Sequence, residues 1–451
     1  MVPRGSAGSD RAAAAHAVST RRVIVASLIG TSLEWYDFFI YGTAAALVFN
    51  KLFFPSFEPL VGTLLAFTTY AVGFIARPLG GVVFGHYGDR VGRKNVLVIT
   101  LLVMGFATFV IGLLPTYTTI GMWAAVLLVA LRFLQGLGLG GEWGGAVLMS
   151  LEHGDPGKRG LNASWPQVGV PAGLLLANGV LALMSATTSN AAFLSWGWRV
   201  PFLLSGVLVL VGLWIRLTIS ESPLFEEIEQ GHTKARMPIL DVLRVYPRSV
   251  LTALGSRIGT DVAFYTFVLF IVTYATQVLK VARSTALNAV LIGAAFQLVL
   301  IPLFGRLSDR SGRRPVYLFG AVGALVWVFV FFALLNTRNT LLIILAAVVA
   351  LLFHAAMYGP QAAFISELFS TRLRYSGASL GYQIAGVLGG ALAPIISIAL
   401  LDRFATWVAV ALYVCAMLLI TIVAVIAAQE TSRIDLHAER PEERAIIDTA
   451  A

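Results

Sequence analysis

Eight ionisable side chains lie inside long apolar stretches of this sequence: Glu34, Asp37, Arg77, Arg132, Glu142, Arg216, Arg257 and Asp261. A charge held in hydrocarbon costs several kcal/mol, so such residues face a water-filled gap or one another. Glu34 and Asp37 are three apart and Tyr41 is four further on, which places all three on one face of a helix. Counted from Arg22, Asp37 is roughly 22 Å along that helix at 1.5 Å per residue. A carboxyl pulled one way by burial and the other by a nearby cation can take up a proton on one side and release it on the other. Two neighbouring acids titrate as a pair, so either Glu34 or Asp37 can hold the proton. The plain alternative is a structural carboxyl bonded to helix ends.

Arg132 cannot be neutralised and demands an anion: an acid such as Asp37, or a substrate carboxylate. A switchable Asp37–Arg132 pair would couple two fluxes, because protonation of Asp37 releases Arg132 to hold substrate. Gln135 follows Arg132 at i+3, and Trp143 returns to nearly the same face. Arg257 and Asp261 stand at i, i+4, with Tyr265 next in line. Either they neutralise each other, or Arg257 joins Arg132 in binding a carboxylate, for which guanidinium offers two parallel donors. Tyr358, Gln361, Gln167 and Tyr382 are further candidates for lining the same gap and reading hydroxyls or a ring. Arg77 and Arg216 are expected to snorkel or cap near helix ends. His354 is expected to be a hydrogen-bonded structural residue.

The elements that position these groups follow from composition. The chain has 451 residues, 58% hydrophobic and 12% charged, with a mean hydropathy of +0.83. Soluble domains carry about a quarter charged residues, so the bilayer is the only solvent that fits. Spans of about 20 apolar residues fall at 22–49, 58–86, 95–114, 119–150, 161–186, 198–219, 249–279, 285–307, 314–335, 339–367, 374–401 and 404–428. The expected fold is therefore an all-α membrane protein of twelve transmembrane helices. Residues 1–21 hold VPRGS, which resembles a protease-site remnant, and an Ala/Ser-rich stretch expected to be disordered. Residues 22–219 and 249–428 form two six-helix bundles, joined by the polar loop 220–248 and followed by a tail at 429–451. At and beyond the ends of the spans, 22 Lys and Arg fall on the side of the termini and six on the other. The excess of basic residues marks the cytoplasmic side, so both termini are expected there. It also explains the net charge of +9 without nucleic acid.

The halves repeat. GHYGDRVGRK (Gly85 to Lys94) recurs 220 residues later as GRLSDRSGRR (Gly305 to Arg314). Glu152 precedes Arg159 by seven, and Glu367 precedes Arg374 by seven. Parallel repeats of six helices are the signature of a carrier whose site lies between the halves. Each motif reads as a tight turn, with Asp89 or Asp309 by a helix end and Arg93 or Arg313 reaching acids such as Glu152 and Glu367. Charge pairs at one face of a bundle can lock one access state. Gly85, Asp89, Arg90, Arg93, Glu152, Asp309, Arg310, Arg313 and Glu367 are thus the candidate gating set, on the side assigned to the cytoplasm.

The repeated motif resembles the signature loop of the major facilitator superfamily. TSLEWYDFFIYG (Thr31 to Gly42), FIARPLGG (Phe74 to Gly81), RFLQGLGLGGEWGGA (Arg132 to Ala146), ESPLFEE (Glu221 to Glu227) and YGPQAAFISELFSTRLRYSG (Tyr358 to Gly377) are similar to its metabolite:proton symporters. That family includes carriers of 2-oxoglutarate, citrate, shikimate, aromatic acids and proline or betaine. The resemblance implies two pseudo-symmetric bundles, rocker-switch alternation and proton symport in a bacterial inner membrane, and it strengthens the proton-coupling role of Asp37. No nucleotide-binding loop, metal cluster or nucleophile–base set appears. The expectation is a non-enzymatic, monomeric secondary transporter with protons as coupling ion and no cofactor. Its partners are the bilayer and a small organic acid. The alternative cargo is a zwitterionic osmolyte, although the short tail lacks the sustained heptads of an osmosensing coiled coil. A sensor in a transporter fold would need a large cytoplasmic domain, which this sequence does not contain.

Overall fold

The computed structural model describes Val25, residues 27–91 and 93–140, Val147, Ser150, Leu151, and residues 155–218, 238–370 and 373–434. At 82, 84–91, 93–97, 156, 215–218, 238–241 and 375 it describes the backbone alone. Among the described residues nine helices are long and apolar enough to cross a bilayer, and Val98–Leu113 and Trp123–Leu139 are shorter apolar helices. With the helix at 27–52 they make twelve. These are α1 (27–52), α2 (Pro59–Val91), α3 (Arg93–Leu113), α4 (Trp123–Leu139), α5 (Arg159–Thr187) and α6 (Arg199–Thr218). The second half has α7 (Pro247–Val278), α8 (Arg283–Ser311), α9 (Arg313–Asn336), α10 (Thr340–Glu367), α11 (Ser376–Phe404) and α12 (Trp407–Ala427).

Within the first half α2 packs on α4, and α3 on α4 and α6; within the second, α10 packs on α8 and α9, and α7 on α11 and α12. The halves meet where α5 crosses α8 and α10, where α2 crosses α11, and where α1 touches α7. Every residue of α1 from Thr31 to Asn50 is buried. The apolar window of α7 is 94% buried, against 33% for α12. So α1 and α7 are central helices, and the others bury a smaller share of their surface.

Two features differ from the sequence reading. The repeated motif is helix on both sides: α8 runs through Ser311 and α9 begins at Arg313, leaving Gly312 as the whole connection. Its φ of +96° is open to glycine and strained for other residues. The α2–α3 connection is equally short, since those helices end at Val91 and resume at Arg93. Secondly, α1, α7 and α11 each contain π-helical turns, at Ala45–Phe49, Thr266–Phe270 and Gly386–Ala391. Such turns cluster at functional sites. The first two lie 221 positions apart, so the internal repeat extends to the irregularities of the central helices.

Candidate functional site

Arg132 is buried in the first half, with its guanidinium 4.2 Å over the Tyr41 ring and 4.7 Å over both Phe38 and Tyr70. Gly73 permits this, since a side chain there would meet Arg132 Nε at 2.9 Å. Arg132 Nη1 donates to Gln135 Oε1. Gln135 Nε2 in turn donates to the Thr108 hydroxyl at 2.8 Å and to the Asp37 backbone carbonyl at 3.3 Å. The buried Asp37 carboxyl lies within reach of Thr108 and in electrostatic contact with Arg132 and Glu34. The expected direct Asp37–Arg132 ion pair is therefore absent among the described residues: Gln135 and Thr108 stand between the two groups, and aromatic faces cover the cation. Tyr41 bonds Thr69 through its hydroxyl. Glu34 is also buried and has a partner. Trp143 and Glu142 lie outside the described residues, and so does the side chain of Arg216.

In the second half Arg257 Nε donates to Asp261 Oδ2 at 2.8 Å, so these two do pair. The Arg257 guanidinium lies on the Tyr382 ring, and its Nη1 is buried with no hydrogen-bond partner. Tyr382 approaches Tyr358, hydroxyl to hydroxyl, at 3.5 Å. Tyr265 packs edge-on against Tyr70 and Phe74 of the other half. Gln361 instead donates to Tyr317 at 2.7 Å, in a network that ties α10 to α9 and α7 through Thr260 and the Ser256 carbonyl. Gln167 is buried on α5. His354 accepts from Gln297 at 2.7 Å and stacks on Tyr358, as expected of a bonded structural residue.

Arg77 is a correction. It is buried, with its guanidinium 4.4 Å over both Phe38 and Phe74 and 5.7 Å over Trp35. Because α2 continues to Val91, Arg77 is fourteen residues from the helix end, roughly 21 Å along the helix. That is too deep to snorkel. The signal missed was the helical continuity of the repeated motif.

At the face carrying the motif, Asp309 spans the halves. Its two oxygens accept from the backbone N–H of Gly160 at 2.7 Å and Leu161 at 3.0 Å, the first turn of α5. A carboxylate suits a helix N-terminus, where unpaired N–H groups and the dipole favour negative charge. Gly160 and Gly305 let α5 and α8 touch, since a side chain on Gly305 would meet the Gly160 carbonyl and Ser164 at 2.7 Å. Arg313 forks onto Glu367 at 2.9 and 3.1 Å and reaches Asp309 at 2.7 Å. Glu367 also lies 3.6 Å from Arg159 of the first half. Arg310 is exposed and takes no part. The side chains of Asp89, Arg90 and Arg93, and the whole of Glu152, lie outside the described residues, and Gly85 falls within α2.

The chain beyond α12 completes this cluster. Glu430 accepts from the backbone N–H of Arg313 and Arg314 at 2.8 and 3.0 Å. Burial works against its charge, but these bonds and one from Ser432 N–H outweigh it and hold the carboxyl below its usual range. Thr431 donates to Glu367 at 2.6 Å, and Arg159 donates to the carbonyls of Ser432 and Ile434. Nothing local in the sequence marks residues 430–434 for this role. At the opposite face Gln277 of α7 donates to Thr63 at 2.9 Å and Ala46 O at 3.4 Å, and Arg283 donates to Asn190. Both faces are thus bridged between the halves, and the central charges are enclosed.

Comparisons with known proteins agree with this architecture. Residues 22–244 match the family model described as sugar (and other) transporter, and residues 254–449 match that of the major facilitator superfamily. The shikimate transporter of Escherichia coli is 42% identical over 92% of this chain and 95% of its own length. The inner membrane metabolite transport protein YhjE of E. coli is also 42% identical, with the same coverage. The E. coli proline/betaine transporter is 33% identical over 93% of this chain and 86% of its own. Among solved structures, the xylose transporter XylE from E. coli in a partially occluded inward-open conformation superimposes with a TM-score of 0.73. It covers 92% of this chain and 99% of its own at 20% identity, a likeness of fold.

Proposed function

The chain belongs to the major facilitator superfamily, whose members transport by alternating access, and we propose that this one carries a small organic acid together with a proton. The observation that carries the reading is the buried linkage of Asp37, Thr108, Gln135 and Arg132, which joins α1, α3 and α4 at the seam between the bundles. Asp37 takes the proton and Arg132 senses it through Gln135. A neutral Asp37 leaves the central guanidinium groups in excess over carboxylates, and an organic anion then balances them. The ion-pair network at Asp309, Arg313, Glu367 and Arg159 holds the motif face shut. The basic bias places this face and both termini in the cytoplasm, with the chain a monomer in a bacterial inner membrane.

The shikimate transporter among the relatives supports a ring carboxylate. The proline/betaine transporter supports the zwitterionic alternative. A quaternary ammonium needs open aromatic faces, whereas Phe38, Tyr41, Tyr70 and Phe74 already cover Arg132 and Arg77. That weighs toward the acid.

Uptake into proteoliposomes tests the reading, with and without an inward pH gradient, for labelled shikimate, benzoate, succinate and betaine. Gradient-driven accumulation of an acid is expected. Asp37→Asn should abolish accumulation and spare exchange of internal for external substrate. Accumulation of betaine alone, or full accumulation by Asp37→Asn, would overturn it.

A further inference from the structure

The mechanism above leaves a buried cation without an assignment. Arg77 has no carboxylate within ion-pair distance among the described residues, and its Nε is buried with no hydrogen-bond partner. Its electrostatic neighbour Asp261 is already paired with Arg257, and a buried charge short of a counter-ion is unfavourable, which favours an anion beside it. Arg132 also lacks an ion pair and keeps two buried nitrogens without a partner, but its Nη1 is bonded to Gln135 in the linkage to Asp37, and Arg257 is not among its electrostatic neighbours, as it is for Arg77. Arg77 is placed differently. Its ring partner Phe74 packs against Tyr265 of the second bundle at 5.9 Å. Phe74 also lies against Gly386 and Gly390 in the π-helical turn of α11. A side chain at Gly386 would stand 3.8 Å from both Phe74 and Arg257 Nη2. The missing side chains of α11 therefore let Arg77, through Phe74, approach Arg257 across the seam, and each guanidinium there retains an unpaired buried N–H.

We infer that Arg77 of the first bundle and Arg257 of the second form the clamp for the substrate carboxylate, with Phe74 and Tyr265 against its body. Arg132 then belongs to the coupling linkage. The inference rests on the organic-acid reading above and assigns the substrate's head group. It also gives substrate a reason to hold the bundles together: the carboxylate supplies the charge that Arg77 lacks and accepts from the N–H of Arg257 that Asp261 leaves unpaired, and each arginine belongs to a different half.

Equilibrium binding to purified protein tests this, using labelled shikimate, benzoate, succinate and betaine, and the methyl ester of whichever acid binds. Hydrogen bonds to a charged group correspond to about a tenfold to hundredfold change in affinity. Arg77→Gln is expected to weaken the acid by at least about tenfold and the ester by less than about threefold. Arg77→Lys keeps the charge but not the fork, and should fall between. Ester binding by each variant shows that it is folded. Equal losses for acid and ester in Arg77→Gln, or unchanged acid affinity, would overturn the clamp and leave the organic-acid reading intact. Wild-type protein that binds betaine and none of the acids would overturn both.

Discussion

Replacing Asp309 with Asn is the sharpest test of the latch on the motif face. The carboxylate receives two backbone N–H groups of α5 and one donor of Arg313, at 2.7, 3.0 and 2.7 Å. Asn keeps one acceptor oxygen and turns an NH2 toward the remaining donors. Arg313 retains its fork on Glu367, so the loss falls on the α5 terminus. Losing one charge-assisted bond, at about 1.5–3 kcal/mol, together with the charge at a partly buried helix N-terminus, at up to ~2 kcal/mol, amounts to about 3 kcal/mol. That shifts the ratio of open to closed motif face by roughly 150-fold. Ser164 lies at the α5–α8 crossing against Gly305. With the half-buried Cys415 replaced by Ala, a Ser164→Cys thiol reacts with a water-soluble maleimide only when the helices part. When opening is fast, the reaction rate follows the open population. Labelling in the Asp309→Asn background should be tens to hundreds of times faster. An unchanged rate would show that Asp309 does not hold these helices together, and the latch would be refuted.

Other expectations follow from the same contacts. Gly305→Leu collides with the Gly160 carbonyl and Ser164; transport should fall more than tenfold, a roughly 1.4 kcal/mol effect or greater, with α5–α8 cross-linking lost. Gly390→Ala places a methyl 2.7–2.9 Å from the Tyr265 and Phe74 rings, and should slow transport while leaving the protein monodisperse. The Glu430 carboxyl is held below its ordinary value, so its contribution to tail docking is complete at neutral pH. It is lost only as pH falls below the ordinary carboxylate range, about 4.5. Fluorescence energy transfer between the tail and α5 should follow that course, and Glu430→Gln should flatten it.

Much of the fold was legible because span length and loop charge are set by the bilayer rather than by distant contacts. Twelve spans appear where apolar runs placed them. The turn motif misled because its polar residues read as a loop, while the helices run through it and bend only at a glycine such as Gly312. The placement of acids and arginines on α1, α4 and α7 was readable from spacing, and both Asp37 and Arg132 are buried. Their partners were not readable. Phe38, Tyr70 and Phe74 cover guanidinium groups, yet in the sequence they look like any packing aromatic. Arg77 was assigned by distance to a helix end that proved to be further away. Residues 430–434 dock by backbone carbonyls and N–H groups, which every sequence has.

Asp37 and Arg257 are 220 positions apart, one on each of the two central helices, with corresponding π turns further along. The two halves are near-copies in path but opposite in sign at this level. A pair of identical half-sites would accept an asymmetric cargo equally well in either direction. Here opposite charges at the aligned positions break the approximate rotational symmetry, so an asymmetric anionic cargo is expected to bind in one heading.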